Sequence, residues 1–412
     1  MKSLRKLLGA TLRRTGYDLL KPGDLERILA ERGLAAHNRQ DFVAPHPLVK
    51  GKPVVELASV RAIESPERRV AARRLLDAYK LASSQEADAP LSPANGDLWT
   101  NLVKNELGEL LSIVAADDAS QLARFLCQFG EKYTWFGGLT FALDGYTGSR
   151  ADIQVALVYL DKLICLAEAI GVLPIEHPEH GRWGENIYEN ADLVVSKIEK
   201  ELGIPLAVPA GAVFTSGLKT EHGVLHYRHL NAIYTAHLVT SLAQTDAAIA
   251  EYGGGLGTVA LYARRMGIRS YTLFDLPITN LFAGHFLISA IGSDAVSLFG
   301  EEPRSDTIQI LPYWTCTDVA ADSFELSLNQ DSFPEVDAEL VDRFLKEILR
   351  TTQAIFLSIN HEAQSDMTET ERQLNISAIL KNAPGYSRLS RKKYWLREGY
   401  AEEVYRLTKY YN

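Results

Sequence analysis

The chain has 412 residues, enough for more than one domain and a sizeable buried core, and its 46% hydrophobic and 23% charged content is that of an ordinary globular protein. A net charge of −9 argues against a general nucleic-acid binder, which would carry a basic surface. Cys127, Cys165 and Cys316 are too few and too scattered for a disulfide framework or a clustered zinc site. No apolar run spans a membrane and no secretion-type apolar core opens the sequence, so the expected setting is cytoplasmic.

Residues 1–21 carry Lys2, Arg5, Lys6, Arg13, Arg14 and Lys21 against the single acid Asp18, with Leu4, Leu7, Leu8 and Leu12 at helical spacing. Such a helix suits a peripheral membrane surface or a partner protein, or else packs on its own domain with its basic face solvated. Helical periodicity recurs over 25–32 and 61–81, and a loop composition follows over 83–96. Further helices are expected over 110–116, 120–129, 153–171 and 190–202, separated by glycine- and proline-containing breaks. This divides the chain into a helical segment over 1–90, a helical domain over 97–213 that covers a site or forms a homo-oligomer, and an α/β domain over 214–412.

Residues 214–237 are dense in side chains that titrate or bind, among them Lys219, Glu221, His222, His226, Arg228, His229, Tyr234 and His237. Their place just before the central strand offers them to a cofactor and to an acceptor alike. The spacing of His222, His226 and His229 also suits metal ligation, but no carboxylate–histidine motif lies beside them. An amphipathic helix explains them better, and no metal is expected at these histidines.

The centre of the chain is residues 247–267. A short apolar strand over 247–252 runs into Gly253, Gly254, Gly255 and Gly257, a helix pattern begins at Thr258, and Gly267 stands where a helix ends. A second strand over 270–274 ends in Asp275. Strand, glycine turn, helix, strand and acid make one half of a nucleotide-binding βαβ unit. The glycines let a ligand lie against the backbone, the helix start offers N–H groups, and Asp275 is spaced to accept from a ribose diol.

Two ligand patterns overlap here. Gly255, Gly257 and Ala260 fit the dinucleotide form G-x-G-x-x-A, which supports a nicotinamide-dependent oxidoreductase. Glu251, Gly253, Gly255 and Gly257 fit acid-x-G-x-G-x-G instead. A carboxylate at Glu251 repels a pyrophosphate and attracts a ligand bearing an ammonium and a sulfonium.

Beyond Asp275 the pattern gives a helix over 278–291, a third strand over 296–299, and a segment over 308–314 that ends in Tyr313 and Trp314. Glu301 or that aromatic pair is placed to meet an adenine, although a core aromatic pair explains Tyr313 and Trp314 equally well. A fourth strand from 323 exits through Asn329, Asp331, Ser332 and Glu335, and after a helix over 338–351 a strand over 354–359 ends in Asn360, His361 and Glu362. Ligands in open α/β sheets bind beyond the carboxyl ends of strands, so both polar clusters belong at one edge. Residues 394–407 read as two strands joined through Gly399, an antiparallel pair that closes the sheet and leaves no room for a dehydrogenase's substrate domain.

The segment from Leu218 to His237, the Glu251–Gly257 motif, Phe274-Asp275-Leu276-Pro277 and the two polar exits resemble the bacterial sugar O-methyltransferases, class I enzymes dependent on S-adenosylmethionine. The resemblance covers about the last 200 residues and no motif of the helical first half. It implies a Rossmann-like α/β sheet of seven strands, the last pair antiparallel, behind a mostly α-helical N-terminal region. It implies S-adenosylmethionine as cofactor, held by Glu251, Gly253, Gly255, Gly257, Asp275, Leu276, Tyr313 and Asn329. The partner implied is a small-molecule acceptor, a sugar or a glycosylated metabolite. His361 with Glu362 is the first candidate for the base that takes the acceptor's proton, with His226 and His229 in reserve. A non-catalytic scaffold with the same fold, docked through its basic first helix, is the remaining alternative.

Overall fold

The structure, a computed structural model, describes residues 55–89, 91, 103, 105–132, 152–181, 183–363 and 373–409. The helices expected over 1–21 and 25–32 and part of the 83–96 loop lie outside the described residues. No described helix is long and apolar enough to cross a membrane.

Strand β1 (Leu57–Val60) leads into helix α1 (Pro66–Glu86), which starts later than its periodicity suggests. Ser65 sets the start: its hydroxyl accepts from the Arg68 N–H, and Pro66 fits the first turn, where no N–H is needed. Helices α2 (Gly108–Ala115), α3 (Ala119–Lys132), α4 (Asp152–Ala169) and α5 (Ala191–Leu202) follow, the last capped by Asn190 and ended by Gly203 at φ +69°.

The histidine-rich stretch is not one helix. It is a hairpin, β2 (Thr215–Thr220) and β3 (Gly223–Leu225), followed by α6 (Tyr227–Leu242) with His226 as its cap. Strand β2 pairs antiparallel with β1 and with β3, which makes a small three-stranded sheet.

The large sheet starts with β4 (Ala248–Tyr252), α7 (Thr258–Arg265) and β5 (Ser270–Asp275). It continues through α8 (Pro277–Ile291), β6 (Val296–Leu298), β7 (Ile308–Pro312) and β8 (Phe324–Gln330). The last elements are α9 (Ala338–Thr351), β9 (Thr352–His361), α10 (Ile376–Asn382), β10 (Tyr386–Lys393) and β11 (Tyr400–Leu407). The strand order is β10-β11-β9-β8-β4-β5-β7-β6. Strand β11 runs antiparallel to both neighbours, and the other pairs are parallel. This is a Rossmann-like α/β sheet, with one strand beyond the expected seven among the described residues.

Three assignments from the sequence need correction. The strand beside β5 is β7, not the 296–299 segment, which forms the outer strand β6. Glu301 at the β6 exit is consumed by Arg74 of α1, whose Nε donates to it at 2.7 Å, and by the Leu298 N–H. It is therefore not aimed at an adenine. The closing pair begins eight residues earlier than expected, at Tyr386, and Tyr394–Gly399 is its loop.

Alternation along the strands divides the core. Ile249, Leu326, Leu328, Leu357 and Ile359 pack with α4, α6, α7 and α8 on one face. Ala250, Tyr252, Phe274 and Phe356 pack with α9 and α10 on the other. The chain builds outward from β4 through β5 and β7, then returns to add β8 and β9 on the opposite side. The topological switch point lies between β4 and β8, and a ligand crevice belongs at their carboxyl ends.

Candidate functional site

The turn after β4 has the conformation its glycines allow. Gly253 has φ +72° and Gly255 φ +57°, a region that L side chains rarely adopt. A Cβ on Gly253 would collide with the Ser332 side chain, whereas one on Gly255 would meet nothing within 4 Å. The open side of the turn is thus at Gly255, and Gly257 caps α7 in the left-handed conformation.

Asp275 closes the other side of this opening. One carboxylate oxygen accepts from the Gly255 N–H at 2.8 Å and the other from the Leu276 N–H at 2.7 Å. Burial pushes the Asp275 pKa up to about 6 against the pull of those two N–H groups. Leu276 is half-buried at the start of α8. Beside it a small cavity of about 20 Å³, room for about one water, is lined by Tyr79, Pro277, Asn280, Leu281, Phe299 and Pro312.

Glu251 lies beneath the turn rather than on its open side. It is 2% exposed, accepts from the Tyr271 hydroxyl at 2.7 Å, and its carboxyl would be 3.0 Å from a Cβ on Gly254. Burial raises its pKa to about 7, with the Tyr271 hydroxyl opposing and the Asp275 charge reinforcing the rise. A folded pKa above the unfolded one lends stability at low pH that is lost as pH rises from about 4.5 towards 7. Glu251→Gln is therefore expected to match the wild type near pH 4 and to be more stable at pH 8, by at most about 3 kcal/mol at roughly 1.4 kcal/mol per unit. Urea denaturation at the two pH values checks this, and a pH-independent difference would refute it.

A chain of amides ties the turn to the far strands. The Asn329 Nδ2 donates to the Tyr252 carbonyl at 2.8 Å and to the Ser332 hydroxyl at 2.6 Å. Its Oδ1 accepts from the Asn360 Nδ2 at 3.0 Å. Asn329 and Asn360 are 0% and 2% exposed, so each bond is made away from water.

His361 ends β9 on the face of α6 and α7, edge-on to the Tyr400 ring with centroids 5.6 Å apart. Burial lowers its pKa, and the nearby Asp331 charge pulls it partly back. Glu362 does not flank it. Strand alternation sends Glu362 to the other face, where it binds Arg391 at 2.6 Å.

His226 and His229 are 0% and 2% exposed. His226 accepts from the Arg228 N–H at 3.1 Å, and His229 sits against Tyr262 and Phe286 inside the helical layer. Burial holds His229 near 4 and His226 well below its ordinary value, so both imidazoles are neutral at pH 7. Tyr313 is a core aromatic, edge-on to Trp314 at 4.9 Å and to Phe344 at 6.2 Å. Among the described residues no group of three or more His, Cys, Asp or Glu is arranged to hold a metal.

The structure also gathers residues that sequence spacing did not. Asp331, at φ +66°, binds Arg228, Arg397 and the Tyr400 hydroxyl beside His361. Arg397 and Tyr400 come from the β10–β11 region, far along the chain, and carry no motif that links them to Asp331.

No family profile matches the chain, and no curated protein matches it. Solved structures with a similar fold include the mitomycin 7-O-methyltransferase MmcR, 17% identical over 44% of this chain, with a TM-score of 0.33. The match spans only 55% of that protein. Another is the PH0226 protein from Pyrococcus horikoshii OT3, 12% identical over 46% of this chain and 93% of its own, TM-score 0.35. A third is the magnesium protoporphyrin IX methyltransferase ChlM from Synechocystis PCC 6803 with bound SAM, 10% identical over 44% of this chain and 82% of its own, TM-score 0.32.

Proposed function

We propose that the chain is an S-adenosylmethionine-dependent O-methyltransferase whose acceptor is a hydroxyl of a sugar or sugar-containing metabolite. The observation that carries this reading is the glycine turn at the switch point, open at Gly255 and faced by the Asp275 carboxylate, with His361 at the same edge of the sheet. Asp275 is the acceptor for a ribose diol. The ionised fraction of Glu251 beneath the turn disfavours a pyrophosphate.

The donor, when bound, supplies a methyl carbon activated by its sulfonium. The residues of this chain do the rest. The turn and Asp275 fix the donor's position, and alignment of that kind is worth on the order of 7 kcal/mol or more. The neutral imidazole of His361 takes the acceptor's proton as the hydroxyl oxygen attacks. The polar character of the edge, built from Asp331, Arg228, Arg397 and Tyr400, suits an acceptor rich in hydroxyls.

Calorimetric titration with S-adenosylmethionine, S-adenosylhomocysteine and NAD in parallel tests the reading. Saturable binding of the first two and none of NAD is expected. Binding of NAD alone would replace methyl transfer with hydride transfer, and binding of none would leave a scaffold.

A further inference from the structure

We infer that the site at the β8–β9 edge takes an anionic acceptor, a sugar bearing a carboxylate or a phosphate, held by Arg228 and Arg397. This rests on the methyltransferase reading for the word acceptor, but the binding claim stands on its own geometry.

Two guanidiniums converge on the single carboxylate of Asp331. Arg228 approaches Oδ2 at 3.4 Å, Arg397 binds the same oxygen, and the Tyr400 hydroxyl takes Oδ1. Both oxygens of Asp331 are thereby engaged. The arginine side chains are only 17% and 18% exposed, so one positive charge is left in excess and largely out of water among the described residues. A buried charge without a partner is unfavourable, and an incoming anion relieves it.

The donors that remain point to the same chemistry. The Arg228 Nε and the Tyr227 hydroxyl are buried with no hydrogen-bond partner, and Tyr227 is 2% exposed. The Arg228 guanidinium stands 5.4 Å from the centroid of the Tyr227 ring. Arg397 stacks over Tyr400 at 4.0 Å, which fixes the plane of its fork. An arrangement of fixed donors around a surplus positive charge calls for a ligand with two or more acceptor oxygens and a negative charge. His361 lies against Tyr400, so an acceptor anchored there carries its hydroxyls beside the imidazole.

The test is calorimetric titration of the full-length protein with glucuronate, glucose 6-phosphate and glucose, each with and without saturating S-adenosylhomocysteine. One or both anions should bind roughly tenfold or more tightly than glucose, and which one does so names the anionic group. Arg397→Gln should remove that preference, and Tyr227→Phe should weaken it, while S-adenosylhomocysteine affinity stays within about twofold in both. Equal binding of all three sugars would overturn the proposal. So would anion binding abolished by S-adenosylhomocysteine, because the arginines would then serve the donor's own carboxylate. Selective anion binding in a protein that fails to bind S-adenosylhomocysteine would uphold the anion site and remove the methyltransferase reading instead.

Discussion

His361→Gln is expected to lower methyl-transfer turnover by about 10² to 10⁴, the usual contribution of a general base, with little change in affinity for S-adenosylhomocysteine. The side chain ends β9 edge-on to Tyr400, with β8 standing between its strand and β4, which carries the glycine turn, so its loss should leave the donor side intact. Burial lowers its pKa below 6.5, so the imidazole is the free base at neutral pH. Activity should then fall on the acid side only below that value, and the variant's residual rate should lack this limb. Methyl transfer to whichever sugar anion binds the wild type measures both. An unchanged rate, or equal losses of turnover and donor affinity, would remove His361 from the role of base.

Asp275→Asn should raise the dissociation constant for S-adenosylhomocysteine by about 100-fold. The carboxylate orders Gly255 and Leu276 and offers oxygens to a diol, and hydrogen bonds to a charged group contribute roughly 1.5–3 kcal/mol each. The amide keeps the shape but can accept at only one of its two ends. Folding stability moves in two opposing ways. The folded pKa of about 6 lies above the ordinary 3.8, so the carboxylate's contribution declines as pH rises between them, and the amide escapes that loss. Against this, one N–H faces an NH₂ group. Weak binding with an unchanged unfolding midpoint at pH 8 is therefore the expected pair of results. A variant that binds as the wild type does would mean that Asp275 only shapes the loop.

The glycine unit was legible in the sequence because everything in it is local. A strand, four glycines, a helix and an acid follow one another within thirty residues, and each has a conformational reason for its place. Sheet order was less legible. Strands β6 and β7 are both short and apolar, and only pairing shows that β7 lies inside and β6 outside. His361 and Glu362 illustrate a different limit: neighbours in sequence at the end of a strand look like a pair, yet the pleat separates them. The histidines of residues 226 and 229 looked accessible because polarity was taken for exposure, whereas tertiary packing buries both. The cluster around Asp331 draws on α6, β8 and the β10–β11 region, so no window of sequence contains it.

The small sheet carries a consequence for how the chain reaches its native state. Ser59 of β1 and Ser216 of β2 share a hydrogen bond across 157 positions, and the strands between which it forms enclose α1 to α5. Closing a loop of that length costs entropy before any strand pairing offsets it. During synthesis β1 leaves the ribosome long before its partner exists, so it waits unpaired until residue 220 has emerged. The helical half is therefore finished from its far end, and a ribosome stalled before the hairpin holds a chain whose β1 is still open to nascent-chain chaperones.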